Sequence, residues 1–230
     1  MARLFVHPTD PLPPPEYRVA RTDGPVHALL DSMAAGWDQA GVIEWGHDRY
    51  RTRFRAAWAN DALAVRFDCD DDAPWWTLTE KDRHLWEEEV VEIFLDPAGD
   101  GRDYVEVEVN PANVVCDLRV RTPWPSLSSD PTWDWVGLTS RVDRHPGPEG
   151  RMRWTMCAVL PFAGLAGSVP GAERRLPPRP GDRWRFNVFR IKRPHGPADP
   201  ERDVVYAAWS VPPGPSFHDP SVFRDLVFGE

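Results

Sequence analysis

No stretch of this chain approaches the ~20 consecutive apolar residues of a membrane-spanning helix, and residues 1–22, MARLFVHPTDPLPPPEYRVART, lack an apolar run of signal-peptide length. The expectation is a soluble chain, most simply a cytoplasmic one. Positive charge is in short supply: 27 Lys and Arg stand against 36 Asp and Glu, a formal net charge of −9. Duplex nucleic acid and anionic membrane are therefore repelled on average, and neither is expected as a partner. Cysteine is scarce. Cys69, Cys116 and Cys157 are far apart and lie in or beside apolar runs, which does not resemble a disulfide framework or a cysteine metal site and predicts buried free thiols. Helical periodicity is nearly missing too; PVHALLDSMAAGWDQA (residues 25–40) has a weak pattern broken by Gly36 and room for one helical turn.

What the chain has in quantity is tryptophan (12), proline (26) and glycine (16). The latter two break it often, while the indoles supply flat apolar surfaces with one polar handle each. Strand patterns recur at residues 53–59, 63–70, 90–96, 104–110, 114–120, 135–143, 151–162, 183–193 and 204–211. Asn60-Asp61-Ala62 makes a plausible tight hairpin connection. Roughly nine strands without crossover helices predict an all-β fold, an antiparallel, jelly-roll-like β-sandwich, as one domain over residues 1–230 with a proline-rich arm at 1–22. Two long loops, residues 122–134 and 163–182, interrupt it. Trp58, Trp154 and Trp184 lie in strands and are assigned to the core.

Carboxylates concentrate in LWEEEVVEIFLDPAGDGRDYVEVEVNP (residues 85–111). Strand side chains alternate between faces, so Val105, Val107 and Val109 form a core face, with Tyr104, Glu106, Glu108 and Asn110 opposite. An antiparallel neighbour brings Glu92 beside Glu106 or Glu108, and like charges facing each other need an offset. That offset is a cation, a hydrogen-bonding ligand, or a basic neighbour such as Arg55, Arg66, Arg119 or Arg190 on a solvated sheet face. The turn at residues 96–103 holds Asp96, Asp100 and Asp103 among glycines; these are candidate ligands for a structural Ca2+, although an EF-hand's spacing and terminal glutamate are missing. An ordinary Asp/Gly hairpin turn is the competing reading. Asp68-Cys69-Asp70-Asp71-Asp72 offers a similar choice between a cation and an acidic loop.

Taken in order, Trp37-Asp38-Gln39-Ala40, LAVRFDCD, LWEEEVVEIFLD, YVEVEVNP, Pro161-Phe162, WRFNVFRI, AAWS and FHDPSVFRDLVF resemble carbohydrate-binding module family 9 and its free-standing relatives, within the DOMON-like β-sandwiches. The resemblance implies a non-catalytic sandwich that binds an oligosaccharide or polysaccharide, with structural calcium nearby and a glycoside hydrolase as a possible partner. It implies a sugar held between two aromatic rings, here Trp86 and Phe217, with Glu92 and Asn187 at matching polar positions; the hydroxyl edges of a sugar would add Glu108 and Arg190 to that polar floor. Trp75, Trp76 and Trp124 are further stacking platforms. Two departures stand out: Glu108 falls where the family has an arginine, and Phe189 where it has a glutamine.

Two other chemistries compete. Paired carboxylates hydrolyse glycosides, which makes Glu92 with Glu106 or Glu108 a candidate pair. DOMON-like relatives that hold haem suggest axial ligation, for which Met152, Met156, His195 and His218 are available without any attachment motif.

Overall fold

The computed structural model describes residues 14–46, 48–122 and 127–230; Trp124 and most of the proline-rich arm lie outside them. The strands are β1 (Glu16–Arg21), β2 (Ile43–Trp45), β3 (Thr52–Trp58), β4 (Ala62–Asp71), β5 (Val90–Asp96), β6 (Asp103–Val109), β7 (Val115–Arg121), β8 (Ser128–Asp130), β9 (Thr139–Pro146), β10 (Met152–Pro161), β11 (Arg183–Lys192), β12 (Val205–Ala208) and β13 (Arg224–Phe228). All nine predicted segments hold a strand, and the weak helical pattern at 25–40 becomes two short 3-10 turns, Val26–Leu30 and Ala35–Gln39.

Two sheets stack as a sandwich. The first runs β8-β7-β6-β5-β11-β13-β1 with β12 also on β11, and the second runs β1-β3-β4-β10-β9 with β2 on β3. β1 belongs to both: residues 16–19 pair with β13 and residues 20–21 with β3, in parallel each time. Every other pairing is antiparallel, so the expected antiparallel sandwich holds except at the strand that joins its halves.

Alternation sorts the faces as the sequence predicts. Val91, Ile93 and Leu95 of β5, Val105, Val107 and Val109 of β6, and Trp184, Phe186 and Val188 of β11 all point into the inter-sheet core, where Phe54, Phe67, Trp58 and Trp154 meet them from the second sheet. Burial of these side chains stabilises the fold by about 25 cal/mol per Å2 of apolar surface withdrawn from water. The three cysteines are buried and unbridged, and burial pushes the Cys69 thiol up to about 12.

The opposite face of the first sheet departs from expectation. It is not solvated: a second apolar cluster covers it, built from Phe94, Tyr104, Cys116, Leu118, Phe189 and Ile191 of the sheet and from Leu85, Val204, Phe217 and Phe223. These covering residues come from segments with little strand pattern, which is why an outer polar surface was the natural reading of the sequence. Glu88 fastens one such segment, accepting hydrogen bonds from the Thr77 and Leu78 amides. The Asn110 side chain also holds it, by donating to the Leu78 carbonyl at 3.0 Å.

Candidate functional site

Beneath that cover lie Glu92, Glu106 and Glu108. Glu92 of β5 is directly opposite Glu108 of β6, and Phe94 is opposite Glu106, so strand register alone brings the carboxylates together. One oxygen from each lies within 4.8 Å of the others, and the residues are 2%, 3% and 0% exposed. Glu92 Oε1 and Glu106 Oε2 have no hydrogen-bond partner, and Glu108 is left with the neighbouring Glu106 carboxyl and the Trp86 amide. Burial, followed by the facing carboxylates, pushes Glu92 and Glu108 well above the ordinary carboxylate range. Burial also raises Glu106, which His218 partly offsets.

The arginines expected to balance them are engaged elsewhere. Arg55 and Arg66 pair with Asp68 at 2.7 and 2.6 Å, Arg119 with Asp130, and Arg190 with Asp71 at 2.6 Å. Arg190 was expected on the sugar floor beside Glu92. It projects instead from the core face of β11, the face of Val188, and donates to the Tyr50 and Asp70 carbonyls as well. With Lys192, Asp71 and Glu89 it forms a buried ionic network: Lys192 Nζ lies 2.7 Å from Asp71 and 2.6 Å from Glu89. Asn187 is on the outer face but is a clamp, its Oδ1 accepting from the Val188 and Ser210 amides and its Nδ2 donating to the Ser210 carbonyl at 2.7 Å.

The aromatic walls are also placed differently from the expectation. Phe217 is 9% exposed and stacks on Phe189 at 4.3 Å, so one face of its ring is already taken by Phe189. Trp86 remains half-buried, with His84 stacked on it at 4.4 Å. Trp75 anchors its loop by donating to the Arg193 carbonyl, and Trp76 carries the Arg144 guanidinium over its ring.

The turn at 96–103 does not gather its carboxylates. Asp96 accepts from the Gly99 and Gly101 amides, Asp100 from those of Arg102 and Asp103, and Asp103 pairs with Arg121 at 2.6 Å. Among the described residues, the other carboxylate trio with metal-holding spacing is Asp82, Asp117 and Asp134, and Lys81 sits in it, 2.8 Å from Asp117. The run at 68–72 alternates in the same way: Asp68, Asp70 and Asp72 meet Arg55, Arg153 and Arg151, and Asp71 turns inward.

An open cleft of about 890 Å3 lies on the same side of the first sheet, between the 96–103 turn and the loop at 213–221; its walls include Asp100, Thr122, Arg185, Ser216, His218 and Asp219. His218 joins it to the buried face: Nδ1 lies 2.8 Å from the Tyr104 hydroxyl and the ring stacks on Phe94 at 5.2 Å. Neither His218 nor Tyr104 carried a signal of this role in the sequence, because their partners are over 100 positions away.

The family model for carbohydrate-binding family 9 matches residues 24–169, more than half of the chain. The chain belongs to carbohydrate-binding family 9. The match to family 9 ends before β11 and the loop at 213–221. A curated relative, an extracellular protein of Arthroderma benhamiae, is 25% identical over 189 residues, which cover 77% of this chain and 78% of that protein. Among solved structures, a family 9 module of Caldicellulosiruptor kristjanssonii in complex with glucose has a TM-score of 0.62 at 14% identity, covering 94% of this chain and 96% of that one. The module with cellotriose gives 0.59 at 15% identity, with 93% of each chain covered. A Bacteroides uniformis protein with an inferred carbohydrate-binding role gives 0.66 at 17% identity, with 93% and 98% covered. At these identities the family 9 likeness in three dimensions is one of fold.

Proposed function

We propose that the chain is a non-catalytic carbohydrate-binding protein whose ligand, a short neutral glycan, sits in the cleft between the 96–103 turn and the loop at 213–221. Membership of family 9 carries the reading, and the glucose and cellotriose complexes of fold neighbours support the ligand class. The cleft has the chemistry a sugar needs: Asp100, Thr122, Arg185, Ser216 and Asp219 offer acceptors and donors to hydroxyl edges, and Pro213, Pro215 and Pro220 offer apolar surface to C–H faces. At about 890 Å3 its volume is in the range of small-molecule sites. A chain that holds a glycan in this way would act beside a partner glycoside hydrolase.

Titration calorimetry of the full chain with glucose, cellotriose and xylo-oligosaccharides tests this, and the absence of heat with every sugar overturns it. Arg185→Ala is expected to weaken binding about tenfold, the loss of roughly 1.4 kcal/mol. A second reading keeps the sugar on Trp86, because its ring is the half-exposed aromatic of the covering loop. Binding abolished by Trp86→Ala and untouched by Arg185→Ala would select it.

A glycosidase role for Glu92 with Glu106 or Glu108 lacks support, since these side chains are at most 3% exposed and lie beneath an apolar cover with no room for a sugar ring between them and the covering residues. Haem ligation lacks it too. Met156 is packed in the inter-sheet core, His195 pairs with Asp203 at 2.9 Å, and His218 is bonded to Tyr104.

A further inference from the structure

We infer that Glu92, Glu106 and Glu108 bind one hard divalent cation, of the size and oxygen preference of Ca2+ or Mn2+, beneath the loops that cover the first sheet. The inference is independent of the sugar cleft. The first ground is geometric: one oxygen from each carboxylate lies within 4.8 Å of the other two, a span that a cation coordinated at about 2.3–2.6 Å bridges. Three carboxylates together offer six oxygens, the lower end of the coordination number Ca2+ takes, and an all-oxygen set selects against the softer metals that prefer imidazole or thiolate.

The second ground is the state of those oxygens. Glu92 Oε1 and Glu106 Oε2 are buried without a hydrogen-bond partner, and Glu108, 0% exposed, has only the Glu106 carboxyl and the Trp86 amide beside it. Buried polar atoms are nearly always paired, and an unpaired buried carboxylate costs several kcal/mol. Buried oxygens left unpaired within a trio of this spacing mark a place suited to a positive charge.

The third ground is how the same chain treats its other buried or clustered carboxylates. Lys81 sits among Asp82, Asp117 and Asp134. Asp71 has Arg190 and Lys192, and Glu89 has Lys192. Each of those groups has a cationic side chain in direct contact. The glutamate trio is surrounded by Phe94, Phe189, Phe217, Cys116 and Leu118, with the His218–Tyr104 pair at its edge. A bound cation supplies there what Lys81 supplies in the other trio.

The full chain, stripped by a chelator and dialysed, is titrated with CaCl2 and separately with MnCl2; bound metal is counted by elemental analysis and unfolding is followed by heat. The expected result is about one cation per chain, with Tm raised by about 5 °C or more at concentrations well above Kd. Uptake is expected to be lost in Glu108→Gln, and in Glu106→Gln should the first variant fail to fold. Asp134→Asn, which alters the Lys81 cluster, is expected to keep it. No uptake of either ion by the wild-type chain overturns the inference and leaves shared protons as what holds the carboxylates together. Uptake that survives in a folded Glu108→Gln or Glu106→Gln chain overturns it as well, by placing the ion elsewhere.

Discussion

Asn187 and Arg190 belong to one strand and face opposite ways, a fact their numbers already carry. Odd positions of β11 look outward with Phe189 and even ones look inward with Val188. A floor containing both was therefore inconsistent with strand geometry, and the parity of Arg190 was the signal that would have excluded it. In Asn187→Ala the Ser210 amide, the Val188 amide and the Ser210 carbonyl lose their side-chain partner inside the protein, and a loss of about 2–4 kcal/mol in urea unfolding is expected. Arg190→Met leaves Asp71 with Lys192 alone against two carboxylates. Breaking such a buried network costs about 3 kcal/mol or more, a shift that the same unfolding curve reads. Sugar affinity should be unchanged in either folded variant, since neither residue lines the cleft.

At the scale of elements, β1 is the strand that the two sheets share. Tyr17 lies on it with its hydroxyl donating to the Gly41 carbonyl at 2.6 Å and accepting from the Ala56 amide at 2.8 Å. It thus ties β1 to the second sheet and to the loop before β2. Tyr17→Phe keeps the ring against Phe54 and Phe186 but strands both backbone groups, at an expected cost of about 2 kcal/mol by chemical denaturation. The strands that the sequence reveals are the long alternating ones, β5 and β11 above all, because seven to ten residues of pattern outweigh noise. β2 and β8, with three residues each, present almost no period. β1 and β13 lie within a proline-rich arm and a terminal motif, which mask their short patterns. The candidate site was legible up to the meeting of Glu92 with Glu106 and Glu108, which is a matter of register. What covers those side chains was not, since the cover is made by loops whose contacts span more than 100 residues.

For the whole molecule, the buried carboxylates set how stability responds to pH. Glu89 is pushed up to about 8 from 4.5, by burial foremost, and Glu92, Glu106 and Glu108 are raised in the same direction. Between about pH 4.5 and 8 the folded chain then holds more protons than the unfolded one, so stability falls as pH rises through that window. At the acid end, Arg119 holds Asp130 down to about 2, a contribution present above its ordinary value and lost as pH falls toward 2. The chelated chain is expected to resist urea better at pH 5.5 than at pH 8, and Glu89→Gln to flatten part of that slope. A stability that rises steadily from pH 5.5 to 8 contradicts the assignment.

The parallel pairing of β1 with β13 also has a mechanical side. Residues 16–19 lie against 225–228, and the Asp225 and Gly229 amides donate to the Pro15 and Val19 carbonyls at 3.1 and 2.9 Å. Tension on the chain before β1 and after β13 pulls two neighbouring strands along their own length in opposite senses. The load falls on the whole ladder together, in shear, instead of opening its rungs one by one. A binding domain tethered from both sides would then let go of its tether's strain last where its two ends meet.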